Sequence, residues 1–160
     1  MSPPPVIAAV VVCFHPERGA LEDLLRTLVL DCDPVVVVNN SPEVLLDFLE
    51  QIPCVQVLTP KMNLGVAAAI NLGNSFALDK GCDAVIHFDQ DSTPAAGLAS
   101  RLWARYQRES TEAAQPFRPI GALGPMLQDR RDGCWLSIYA PYNWGRRPLT
   151  PQSDTVFDVD

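Results

Sequence analysis

Basic residues are scarce in this chain: 12 Lys and Arg stand against 19 Asp and Glu, a formal net charge of −7. That deficit argues against general binding to a nucleic-acid backbone, which needs a basic face. A single anionic ligand carried by a metal stays compatible with it. Histidine is scarcer still, limited to His15 and His87, and none of the five cysteines (Cys13, Cys32, Cys54, Cys82, Cys134) forms a CxxC pair. No zinc-site spacing results. Isolated cysteines beside apolar residues read as small buried hydrophobes of a reducing compartment. The apolar run Val6–Phe14 is too short to cross a bilayer, and its Ser-Pro-Pro-Pro lead carries no positive charge. A soluble, cytoplasmic protein without a transmembrane segment is expected.

Several catalytic signatures are also missing. No GxGxxG follows the first apolar run, so a dinucleotide fold has no phosphate turn, and GxxxxGK[ST] is absent. A receiver-type phosphoacceptor needs acids where Cys13-Phe14-His15 stands. No GxSxG elbow supports a hydrolase, and the Gly-rich basic loop of a nucleotidyltransferase is lacking near the N-terminus.

What remains is a globular composition. The 160 residues are 48% hydrophobic and 19% charged, which predicts one folded domain. Val6–Phe14 reads as a strand buried on both faces, with Val35–Val38, Val55–Thr59 and Ala84–Phe88 as further strands. Leu21, Leu24, Leu25 and Leu28 recur at helical spacing. Ser41 followed by Pro42 predicts a helix start, with the helix running to about Gln51. A longer helix spans about Gly65 to Lys80, with Asn63 as its N-cap and Gly81 as its stop. Pro94 opens another helix reaching about Ser110. Ile120–Leu123 and Cys134–Tyr139 are expected as fifth and sixth strands, after which the pattern decays until Thr155–Asp160. Strands alternating with helices imply βαβ units and a mostly parallel sheet.

Polar clusters follow the strands, where ligands bind such sheets. Asp89-Gln90-Asp91-Ser92 ends the fourth strand, and two carboxylates one residue apart there suit Mg²⁺ or Mn²⁺ completed by water and phosphate oxygens. The plainer reading is a solvated turn capping the helix after Pro94. Asn63-Leu64-Gly65 leads into a helix that carries Asn71 two turns in, a place for an anion or simply a capped helix. Asn39-Asn40-Ser41 could bond a base or ribose, or make a capping turn. His15 follows the first strand; His87, inside the fourth, reads as structural.

Together, Val10–Pro16 (VVVCFHP), Val36–Ser41 (VVVNNS), Asn63–Asn71 (NLGVAAAIN) and Phe88–Ser92 (FDQDS) resemble the inverting family-2 glycosyltransferases. Within that family the likeness is to bacterial rhamnosyltransferases that use dTDP-L-rhamnose, and it covers about Val6 to Pro125. The resemblance implies a GT-A-like, Rossmann-type α/β fold with a mostly parallel sheet flanked by helices, in truncated form. Residues 1–5 would be a disordered lead, 6–125 the nucleotide-sugar-binding domain, and 126–160 the start of an incomplete acceptor-side region.

By the same resemblance His15 and Pro16 lie beside the nucleotide, Asn39 faces the thymine ring and Asn40 the ribose. Asn63 and Gly65 shape the nucleotide wall, and Asn71 and Gln90 belong to the same donor-binding set. Asp89 and Asp91 bind ribose and the metal–diphosphate, with Asp91 the chief metal ligand. Cys13 stands where the family usually has threonine, and Asn39 where it has an acid. The implied partners are dTDP-rhamnose and a glycan or lipid-linked glycan acceptor of cell-surface polysaccharide synthesis, at the inner membrane face. The family's general base lies well past the paired acids; among the late acids, Asp158 and Asp160 fit that role poorly. Exposed edges favour self-association. The alternative expectation is a non-catalytic, truncated or degenerate copy that binds nucleotide weakly or serves as an interaction module.

Overall fold

The computed structural model describes residues 3–44, 46–112, 122–125, 127–129, 131, 134, 138–142 and 145–149. The chain divides into two compact units, Met1–Thr111 and Glu112–Asp160.

In the first unit, four described strands form a parallel sheet in the order β3-β2-β1-β4: β1 (Ile7–Cys13), β2 (Val35–Asn39), β3 (Val55–Leu58) and β4 (Ala84–Asp89). All four match the apolar runs of the sequence. β1 is central, pairing Val10 with Val36 on one side and with His87 on the other. Its side chains alternate. Ile7, Ala9, Val11 and Cys13 join the four leucines of α1 (Arg18–Leu28) and Leu49 on one face. Ala8 and Val10 meet α2 (Val66–Asp79) on the other. Each buried leucine contributes about 2 kcal/mol of transfer free energy, so α1 is held by packing.

The approach of α2 is set by one residue. A Cβ on Gly73 would sit 2.5 Å from Val10 Cγ1 and 3.3 Å from Val38 Cγ2, so the helix backbone rests directly on the sheet. α2 stops as expected. Gly81 takes φ 77°, and the amides of Gly81 and Cys82 donate to Leu78 and Ala77 carbonyls, a Schellman closure that favours glycine.

Two expected helices are corrected. Residues 42–51 do not form one continuous helix. Val44 N–H donates to Ser41 O in a tight turn, and only Asp47–Gln51 coils, as a 3₁₀ turn. The reason is that the Ser41 hydroxyl accepts from His15 N–H and donates to Asn39 Oδ1, and so does not cap. Nor does Pro94 open a helix. α3 is Leu98–Glu112, entered through Gly97 at φ 70°. Its N-terminus is capped by Asp31, just past α1, whose carboxylate accepts from the amides of Ala99 and Ser100 and from the Ser100 hydroxyl.

In the second unit, β5 (Ile138–Tyr142) and β6 (Gly145–Leu149) pair antiparallel, where the sequence pattern had suggested decay after Tyr139. Of the expected strand Cys134–Tyr139, Ile138 and Tyr139 belong to β5, residues 135–137 lie outside the described residues, and Cys134 is coil, its carbonyl accepting from Asp129 N–H. Of the expected strand Ile120–Leu123, Ala122 and Leu123 are not strand, and Ile120 and Gly121 lie outside the described residues, as do Thr155–Asp160. Among the described residues no helix is long and apolar enough to cross a membrane.

Burial pushes the Cys13 thiol up to about 12, and burial together with the Asp31 charge does the same for Cys32. Cys82 is also buried, whereas Cys54 and Cys134 are exposed. A thiol reagent at neutral pH should therefore titrate Cys54 and Cys134 in the native protein and the other three only in denaturant; rapid native labelling of a third thiol would contradict this burial. Gly73→Ala should destabilise the fold by about 1–2 kcal/mol through overpacking, despite alanine's better helix propensity. Ser75→Ala, on the exposed face of the same helix, should stabilise by a few tenths. Urea denaturation of both variants measures the contrast.

Candidate functional site

In the order β3-β2-β1-β4 the chain winds outward from β1 to β3 and then returns to the other side of β1. The carboxyl ends of β1 and β4 thus flank a topological switch point, where open α/β sheets bind ligands. Asp89 ends β4 there, and Asp91 is exposed one residue beyond the turn's start. Ser92 N–H donates to Asp89 O at 3.0 Å. The acids therefore sit in a tight turn of their own and not at the N-terminus of α3, which Asp31 caps.

The loop after β1 holds His15 at φ 45°, a left-handed conformation unusual for a residue with a side chain. Three contacts keep it there. Its N–H donates to Ser41 Oγ at 3.1 Å, its Nε2 lies 3.2 Å from Glu43 Oε1, and its ring meets Phe14 edge-on at 4.4 Å. Pro16 follows and is half-buried. Glu17 then caps α1 by accepting from the amides of Gly19 and Ala20, which holds its carboxyl below the usual range.

Asn39, Asn40 and Ser41 are buried polar residues, between 1% and 4% exposed. Asn39 Nδ2 donates to Val44 O at 2.8 Å, while its Oδ1 accepts from both Ser41 N–H and Ser41 Oγ. The expected contact of Asn39 with a thymine ring does not fit this arrangement, because both lone pairs of the amide oxygen are engaged inside the loop. Asn40 reaches sideways: its Oδ1 accepts from Leu64 N–H at 2.7 Å. Asn63 Oδ1 accepts from Gly65 N–H, also at 2.7 Å. It fastens the loop before α2, while Gly65 itself stands at the N-cap position at φ 75° with no side-chain cap. Nothing lies within 4 Å of where a Gly65 Cβ would be, so glycine serves the backbone angle there and leaves the space open.

Gln90 was expected against the donor, yet its amide bonds the backbone of Phe14: Oε1 accepts from Phe14 N–H at 2.7 Å and Nε2 donates to Phe14 O at 3.1 Å. Asn71 is exposed on α2, outside this web of hydrogen bonds among the described residues. The next turn carries Asn74, whose Oδ1 lies 2.8 Å from His87 Nε2; partial burial lowers the His87 pKa, in keeping with a structural histidine. Glu43 and Phe14 are site residues that sequence reasoning missed, since no motif marks an acid two residues past Ser41 or a backbone used as an anchor.

No cluster of three or more His, Cys, Asp or Glu side chains is present among the described residues. The paired carboxylates fit an ion that draws most ligands from water and phosphate, as Mg²⁺ and Mn²⁺ do, and not an all-protein cage.

A family model for glycosyl transferase family 2 matches residues 9–153. The chain belongs to glycosyltransferase family 2. It is also similar to the dTDP-rhamnosyl transferase RfbF of Shigella flexneri, with 34% identity over 111 residues, 69% of this chain. The chain spans 38% of the length of that relative. In this family-2 member the amides at the strand ends bind the loops to one another, and the two acids are solvent-exposed at the switch point.

Asn39→Ala would leave Val44 O and Ser41 N–H without their partner in a buried loop, and should cost about 2–3 kcal/mol. Chemical denaturation measures it; a loss below about 0.5 kcal/mol would show that the loop does not depend on this amide.

Proposed function

We propose that the β1–β4 sheet binds a nucleotide-sugar donor, dTDP-L-rhamnose, for transfer of the sugar with inversion to a glycan acceptor of polysaccharide synthesis. The single observation that carries this reading is the pair Asp89 and Asp91 at the β1–β4 switch point of a family-2 chain. Similarity to the dTDP-rhamnosyl transferase of Shigella flexneri supports the choice of sugar and nucleotide.

His15 and Pro16, fixed by Ser41 and Glu43, form one wall beside the nucleotide. Asn63 and Gly65 shape the other, where the open N-terminus of α2 favours an anion. Asn39 and Asn40 act by holding these walls, so the base is read from a loop they shape and not by the Asn39 amide. Asp91, with Asp89, would hold a divalent ion. Mg²⁺ or Mn²⁺ bound there would neutralise charge growing on the departing nucleoside diphosphate. Inversion then requires the acceptor hydroxyl to attack the anomeric carbon from the face opposite that diphosphate, with a general base to take its proton. The described residues supply the donor side of this chemistry.

Calorimetry with dTDP, UDP and GDP, with and without Mn²⁺, tests the reading. dTDP should bind in preference to the other two only when Mn²⁺ is present, and Asp91→Ala should weaken that binding at least tenfold. Binding indifferent to both the metal and the substitution would sink the assigned site.

A further inference from the structure

We propose that Gln90 is a positioning residue whose amide locks the Asp89–Asp91 turn to the loop after β1, setting the distance between the metal carboxylates and the His15–Pro16 wall. Its consequence for ligand binding rests on the nucleotide-sugar reading above; the lock itself does not.

β1 and β4 run side by side in register up to Val12 and Asp89. Twisted parallel strands diverge beyond their last pair, and at a switch point the chain leaves them in different directions. Gln90 bridges that gap. One side chain accepts from Phe14 N–H and donates to Phe14 O, replacing a backbone rung with an amide. A primary amide carries the acceptor and the donor this demands; a carboxylate carries only acceptors, and leucine neither. Gln90 lies between the two acids in the chain, so any displacement of it displaces both. Phe14 immediately precedes His15, so the same two bonds fix the start of the opposite wall. His15 is in turn tied to Ser41 and Glu43, and Asn40 ties the β2 loop to Leu64. Gln90 thus links the acid-bearing turn to the chain of loop fasteners.

The test compares the full 160-residue chain with Gln90→Leu and Gln90→Glu. Without ligand, hydrogen exchange at pH 7 should accelerate about tenfold in segments 14–16 and 89–92 of Gln90→Leu, the effect expected from losing two hydrogen bonds, while β2 and β3 keep their protection. The Phe14 amide proton resonance should shift in both variants. Unchanged exchange in both segments, or equal acceleration throughout the sheet, overturns the lock. In calorimetry, Mn²⁺-dependent dTDP binding should weaken about tenfold in Gln90→Leu; equal affinity overturns the positioning role. Failure of the wild-type chain to bind dTDP with Mn²⁺ overturns the nucleotide-sugar reading instead, and the exchange and resonance measurements then decide the lock alone.

Discussion

β1 is enclosed on both faces and both edges, and the first unit is organised around that constraint. Six of its seven residues are buried, so every element packed against it must present small or well-fitted apolar groups. α1 does so with leucines. α2 does so with Ala69, Gly73 and Ala77, and a Cβ on Gly73 would come within 2.5 Å of Val10 Cγ1, so little slack remains. Because β1 cannot move, its carboxyl end is the fixed reference from which the loops of the candidate site are measured.

A rigid parallel sheet creates a polar problem at that end. Loops leave the strands in different directions, yet each loop still carries an N–H and a C=O per residue that require partners. Gln90, Asn39, Asn40 and Ser41 resolve it by supplying side-chain rungs where backbone ladders stop. Their hydrogen bonds run from the β4 turn through the β1 and β2 loops to the segment before α2. A site edged in this way is organised before any ligand arrives, which lowers the ordering cost of binding.

How much of this was legible in the sequence follows from the range of each interaction. β1 and β2 were legible because burial on both faces leaves continuous apolar runs, β3 and β4 because they are short apolar runs although only partly buried, and α1 because four leucines mark one stripe. The stop at Gly81 was legible because a left-handed closure favours glycine. The start of α3 was not, since its cap comes from Asp31, 68 residues before Ala99. The helix expected behind Ser41 failed for a related reason: His15 and Asn39 compete for the hydroxyl that a local rule assigns to capping. At the strand ends, residue type could not distinguish a side chain placed to meet a ligand from one that satisfies a neighbouring loop. Asn39 and Gln90 both bond neighbouring loops.

The choice of amides for this second task has an electrostatic logic. The chain carries a net charge of −7, and in the proposed nucleotide-sugar reading a divalent ion at Asp89 and Asp91 would have to be attracted by their charge while still attracting a diphosphate. Lysine or arginine rungs across the β1–β4 gap would compete with the ion for the carboxylates, and acidic rungs would hold it too strongly to leave charge for phosphate oxygens. Neutral amides tie the loops without entering that balance. In Gln90, placed between the two acids, neutrality matters most, because a charge there would act on both at the shortest range available in the chain.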